Sequence, residues 1–395
     1  MRMLLVVISL LSSGGSQNGG YPQHPASQPC DVVNAPAITV FRDPGRYVSF
    51  PDVKRIARNR LLCVFRDASF PKKVQHIEPD ARIVGCISED NGLHWSSPSV
   101  IYDDPACQND PSIAVLGDGR LLLTFFNWVG VRTASAPAED SPFARKVNHG
   151  DWGTWAEPGG VHILWGRADP LKWDPPAVHL SGSARVLRAT SSKVLQTRRG
   201  TLLLPVYGGS REKPVDQAYV LRSTDGGRTW GDEILIAADP AGRIDMHEPA
   251  LVETASGQIL AVMRTANAGD HLYTTRSTDD GLTWTQPAQT ELVGHPADLI
   301  ALPDGRILLA YGYRHAPFGV RACLSNDGGT TWAPPIVITA SGAQTDLGYP
   351  SLCLTDDGHV LVAYYMNGPD TRDRWIECKR IPLAIFGGTS RPAPQ

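Results

Sequence analysis

Apolar residues recur along this chain in short runs that share one plan. A strand-length run reaches a tight turn and is answered by a second apolar run. The copies are Ile56–Phe65, Ile113–Phe126, Val194–Tyr207, Leu251–Met263, Leu299–Tyr311 and Leu352–Tyr365. Their turns carry Asn59, Gly119, Gly200, Gly257, Gly305 and Gly358 in that order. Gly takes φ > 0 at little cost and Asn tolerates it, so each copy reads as a β-hairpin. Six copies, each separated by the length of one four-stranded unit, predict an all-β, six-bladed β-propeller of antiparallel blades. Helical patterns alternating with strands are absent, which excludes a doubly wound fold.

A second motif punctuates the repeat. Ser-x-Asp-x-Gly-x-x-Trp occurs at Ser88–Trp95, Ser223–Trp230, Ser277–Trp284 and Ser325–Trp332. Its chemistry is that of a turn. Ser and Asp side chains bond nearby backbone N–H groups, Gly takes φ > 0, and Trp packs the turn onto the blade. These residues belong to the scaffold. Between the second and third hairpins, Thr133–Leu180 reads as a long irregular insertion with four tryptophans, positioned to wall a pocket. At the end, Trp375–Ile381 lacks a following strand, and Ile38–Phe41 is expected to close the ring beside it.

Composition narrows the class. The chain has 395 residues, with 38 Gly and 32 Pro, as suits many short strands and turns. A formal net charge of -3 implies no basic face for nucleic acid, and no run spans a membrane. Met1–Leu11 carries one Arg and then an apolar run, which reads as a secretory signal. Residues 1–33 are therefore set apart from the propeller, 34–386, and from a tail, 387–395. A secreted or periplasmic protein is expected. Seven cysteines form no CxxC or Cys/His cluster, so no metal site is expected. Cys63 and Cys86 fall on neighbouring strands of one blade, where a disulfide is open.

The repeat also locates a site. Inner strands begin at one rim, and second strands return to it. Asp110, Glu248, His295 and Tyr349 stand at strand starts, and Arg66, Asn127, Arg264 and Arg314 at strand ends. Arg321 opens a third strand toward the same mouth. Arginines beside a carboxylate and a tyrosine suit an anionic ligand, because guanidinium binds carboxylate through two parallel N–H···O bonds.

At these residues the chain resembles the sialidase (neuraminidase) superfamily. The four Ser-x-Asp-x-Gly-x-x-Trp turns are similar to its Asp boxes, over about Val40–Leu383. The resemblance implies that Tyr349 is the nucleophile and Glu248 its assisting carboxylate. It also implies that Arg264 and Arg321 are two members of a substrate-carboxylate triad. The first member is missing: Ser49 stands where Arg is expected, and Arg66, Arg46 or Arg42 would take its place, Arg66 being best positioned. The acid/base belongs in the loop Asp67–Asp80, which offers His76, Glu78 and Asp80. The implied activity is retaining exo-hydrolysis of a terminal anionic sugar from a glycan, without metal or organic cofactor. Two alternatives stay open. One is a glycosidase or lyase for another sugar, a uronate or deoxysugar, that uses a histidine. The other is a non-catalytic glycan-binding propeller.

Overall fold

The computed structural model describes residues 34–70, 76–132, 144–180, 186–209, 215–231, 233–370 and 372–386, together with Val32. Its strands form six antiparallel sheets arranged as the blades of a propeller. Blade 1 comprises Arg46–Ala57, Arg60–Ser69, Arg82–Ser88 and Ser99–Tyr102. Blade 4 (Asp245–Glu253, Ile259–Ala266, His271–Ser277, Ala288–Val293) and blade 5 (Ala297–Ala301, Ile307–Tyr313, Phe318–Ser325, Ile336–Gly342) follow the same order. In blade 3 the inner position is shared by Val186–Ala189 and Leu195–Gln196, beside Leu202–Gly209, Gln217–Ser223 and Ile234–Ala237. Blade 6 has Gly348–Leu354, His359–Asn367 and Arg374–Pro382, and its outer strand is Ile38–Arg42. Ile38 pairs with Cys378 and Arg42 with Trp375, so the two ends of the propeller close the ring as expected.

The second strands are apolar throughout because each faces two cores. In blade 1, Leu61, Cys63 and Phe65 pack toward blade 6, while Leu62 and Val64 pack toward blade 2. In blade 5, Leu308 and Ala310 face blade 6, while Ile307, Leu309 and Tyr311 face blade 4. Period-2 alternation thus sorts side chains between neighbouring blades, not between core and solvent. The Asp-box turns lock the blades at the far face. In each, the Asp accepts from the Ser hydroxyl at 2.8 Å, and the box Gly N–H donates to that hydroxyl at 2.7–2.9 Å. Gly329 shows why the fifth position is glycine: φ is 87°, and a Cβ would lie 2.4 Å from Leu260 of the preceding blade.

One expectation is corrected. Thr133–Leu180 is not an irregular insertion. Residues 133–143 lie outside the described residues, but Trp155–Ala168 and Leu171–Leu180 are the third and fourth strands of blade 2, beside Cys107–Val115 and Arg120–Val131. Their alternation is broken by Pro158-Gly159-Gly160 at one register shift and by Pro175-Pro176 at another. Trp165 packs under Gly227 of blade 3, away from the mouth. The expected signal lies outside the described residues, Val32 apart. Cys63 and Cys86 are cross-strand partners, but both thiols are free. Among the described residues, no helix is long and apolar enough to cross a membrane.

Candidate active site

Four inner strands enter the ring through the same distortion. Phe50, Asp110, Glu248 and Tyr349 have φ of 55°, 46°, 53° and 48°, and each precedes a proline. At each point the pairing register slips, between Ser49 and Asp52, Asn109 and Ser112, His247 and Ala250, and Gly348 and Ser351. Such bulges re-aim side chains, and positive φ at a non-glycine residue costs on the order of 1–3 kcal/mol. Here they bring a phenylalanine, two carboxyls and a phenol to one mouth. Phe50, Asp110, Ser191 and Tyr349 line an axial cavity of about 30 Å³, room for about one water. Its wall also includes Lys193, which pairs with Asp52 and Asp298 across the axis.

At the centre, Tyr349 Oη donates to Glu248 Oε1 at 2.7 Å, joining blade 6 to blade 4. Arg264 donates to both oxygens of Glu248, from Nη2 to Oε1 at 3.1 Å and from Nε to Oε2. Burial alone would raise the Glu248 carboxyl. The Arg264 charge and the two sets of hydrogen bonds outweigh it and hold the group down at about 2. Tyr349 is pushed well above its ordinary range by burial, then by the charges of Glu248 and Asp110, despite Arg264 and Arg314. The resting state is therefore a neutral phenol hydrogen-bonded to an ionised carboxylate.

Asp110, Arg314 and His295 complete this group. Asp110 accepts from Ser191 Oγ at 2.5 Å, and burial followed by the Glu248 charge pushes it up to about 8. Arg314 sits 5.6 Å from the Tyr349 ring and donates to Leu347 O from Nε and Nη2, at 3.3 and 3.2 Å. His295 Nε2 lies 3.0 Å from Asp270, which also faces His315 at 3.2 Å. Burial and then Arg314 and Arg264 lower the His295 pKa.

Other expected residues lie elsewhere. Arg66 is not a mouth cation: it is fully buried, paired with Glu78 and beside the Tyr47 ring. Ser49 is its cross-strand partner. Arg321 lays its guanidinium on the Tyr313 ring at 3.3 Å, whereas Arg314, seven residues earlier, stands by Tyr349. Asn127 is buried against Gly159. Asp80 accepts from Ser69 N at 3.0 Å, from Ser69 Oγ at 2.8 Å and from Arg46 at 3.1 Å. Its carboxyl is raised by burial and, on balance, lowered by these donors. His76 does reach the mouth side. Its ring packs on Phe50 at 4.9 Å, and Phe50 packs on Tyr349 at 4.6 Å.

Sequence reasoning missed Asp346. This carboxylate gathers Tyr47, Tyr365, Arg374 and His76, and its place three residues before Tyr349 was the available signal. It also missed Asp216, Asp245 and His247, whose ligand atoms lie within 4.8 Å of one another at the edge of blade 4. His247 is already bonded to Asp216 there at 2.8 Å.

The family follows from a match of residues 146–362, more than half the chain, to the BNR repeat-like domain. The chain belongs to that family, and its propeller is sialidase-like. Among solved structures, it is similar to a protein of unknown function from Dyadobacter fermentans DSM 18053. Identity is 28%, the TM-score is 0.74, and the match covers 87% of this chain and 98% of that one. It is similar in fold to the Hadza microbial sialidase Hz136, at 17% identity and TM-score 0.64 over 85% of this chain and 66% of that one. The NanB sialidase of Streptococcus pneumoniae matches at 14% identity and TM-score 0.63, over 89% and 71%. No curated protein matches the sequence.

Proposed function

We propose that this chain is a retaining exo-glycosidase that removes a terminal, carboxylate-bearing sugar of the sialic-acid type from a glycan. The observation that carries this reading is the 2.7 Å hydrogen bond from Tyr349 to Glu248. An anionic sugar repels a carboxylate nucleophile, but a neutral phenol can approach it. Tyr349 Oη attacks the anomeric carbon while Glu248 takes its proton. Among the described residues, Nη1 of Arg264 and of Arg314 carries no hydrogen bond, so each keeps donors for the sugar carboxylate. His76 protonates the leaving oxygen and then activates water, while Asp80 is engaged with Ser69 and Arg46. The steps use no metal or organic cofactor.

One observation favours a second sugar. With Ser49 in place of an arginine and Arg66 buried, Arg264 and Arg314 are the guanidiniums set around Tyr349. Two arginines fit a smaller uronate as well as a sialic acid. A glycan panel read by mass of the released monosaccharide separates the two. Turnover of an aryl sialoside is expected to fall at least ~100-fold in Tyr349→Phe and in Glu248→Gln. Unchanged turnover in both variants overturns the scheme, and saturable binding without any release on the panel identifies a binding propeller instead.

A further inference from the structure

The segment that delivers Tyr349 is held by one carboxylate. Asp346 accepts from Tyr365 Oη at 2.8 Å, from Arg374 Nε and Nη2 at 3.1 Å each, and from Tyr47 Oη. His76 Nε2 lies 3.5 Å away. These groups come from the inner strand and upper loop of blade 1 and from the second and third strands of blade 6. Arg66 and Arg374 lie near the Tyr47 ring, at 5.8 and 5.6 Å from its centroid.

The backbone beside Asp346 is clasped as well. Asn367 Nδ2 donates to Asp346 O at 2.7 Å and to Gln344 O at 3.0 Å, while its Oδ1 accepts from Ala343 N and Gln344 N. Arg314 holds Leu347 O. Beyond Gly348, which takes φ 104° freely as a glycine, Tyr349 is in unfavourable backbone at φ 48°. Strain of this kind persists only where the surroundings over-determine it. Asp346 is the point at which four side chains fix the approach to that strain.

We propose that Asp346 is a positioning residue for Tyr349, anchoring the strained strand entry so that the phenol points at Glu248. The inference rests on the reading of Tyr349 as nucleophile. Asp346 itself carries no step of the reaction. Without its anchor, Tyr349 relaxes toward ordinary extended backbone, and Oη leaves Glu248. A misplacement of about 1 Å costs about 100-fold in rate.

The test uses the whole chain with 13Cζ-labelled tyrosine. The Tyr349 signal is assigned by its loss in Tyr349→Phe. In folded Asp346→Asn, this signal is expected to shift as the bond to Glu248 loosens. Turnover of an aryl sialoside is expected to drop ~100-fold in kcat, with KM changed less than ~3-fold. A purely structural role would lower the melting temperature and leave the signal of the folded protein in place. An unmoved Tyr349 signal, or an unchanged kcat, in folded Asp346→Asn overturns the proposal. Should that variant not fold, Tyr365→Phe removes one donor and keeps the ion pair with Arg374. A smaller shift in the same direction is then expected, and no shift overturns the proposal. If the wild-type protein releases no sugar from any glycan, the catalytic reading fails, and the Tyr349 signal still decides whether Asp346 positions that phenol.

Discussion

Lys193 of blade 3 crosses the propeller axis to Asp298 of blade 5, Nζ to Oδ2 at 2.5 Å. The same ammonium lies 3.2 Å from Asp52 of blade 1 and donates to Leu352 O of blade 6 at 3.3 Å. Asp52 accepts in turn from Ile113 N at 2.7 Å and Ser351 Oγ at 2.5 Å, and Asp298 accepts from Leu352 N at 2.7 Å. One half-buried ammonium thus ties five blades together where the six inner strands converge.

Removing it leaves Asp52 buried and Asp298 half-buried without the ammonium they pair with. Lys193→Met is expected to lose about 3–5 kcal/mol of stability, the usual cost of breaking a buried pair from one side. Chemical denaturation of the purified protein measures it. A loss below about 1 kcal/mol would mean that the axis is solvated and the ion pairs are worth no more than surface ones.

The Asp boxes should affect stability but not turnover. Inner strands start at the mouth, second strands return to it, and third strands leave it, so the boxes sit at the opposite face. Ser277 Oγ is buried, donates to Asp279 at 2.8 Å and accepts from Gly281 N at 2.9 Å. Ser277→Ala strands that N–H at an expected cost of about 1–3 kcal/mol. The kcat on an aryl glycoside is expected to match the wild type; a large change in kcat would contradict the placement of the site.

What the sequence made legible follows the range over which each signal acts. The hairpins and Asp boxes are local patterns, so they could be read and counted, and the closing strand Ile38–Arg42 followed from an unpaired partner at Trp375. Blade 2 was misread because Pro158, Gly159 and Gly160 break its third strand and because Asp169-Pro170 stands where blades 1, 3, 4 and 5 carry an Asp box. Tyr349, Glu248 and Asp110 were found because their X-Pro entries repeat. Asp346 was not, because Tyr47 lies 299 residues away from it and no repeat marks the pair. Arg314 and Arg321 both precede the same Asp box, and only the path of the backbone shows which one stands beside Tyr349.

Asp110 sets a pH dependence with a definite sign. Its folded pKa of about 8 exceeds the unfolded value of about 3.9, so the folded state binds the extra proton. Stability is therefore expected to fall as pH rises from about 4 to about 8, as the buried carboxyl is forced to ionise. Asp110→Asn removes this slope and is expected to stabilise the protein at pH 8 by on the order of 5 kcal/mol. Melts across this range check it. A wild-type slope that survives in Asp110→Asn assigns the effect to another group. Below pH 4 the sign reverses, because Glu248, held at about 2, loses its favourable charge as it is protonated.

Two glycines of blade 6 separate backbone strain from site geometry. Gly348 has φ 104°, and a Cβ there would lie 2.9 Å from the Gly312 Cα. Neither backbone can yield easily, because Leu347 is held by Arg314 and Gly312 N–H and C=O pair with the entry of blade 5. Gly348→Ala is expected to displace Tyr349, with kcat on an aryl glycoside reduced by about 100-fold. Gly358 has φ 80° in the turn at the opposite face, and a Cβ there meets nothing within 4 Å. Gly358→Ala then costs only the left-handed conformation, about 1–2 kcal/mol, and kcat is expected to stay at the wild-type value. Both variants place an alanine at positive φ, but only Gly348→Ala adds a backbone clash, and only it is expected to lose turnover. Equal kcat in the two would show that the entry to Tyr349 tolerates movement and that the nucleophile is not held by its backbone.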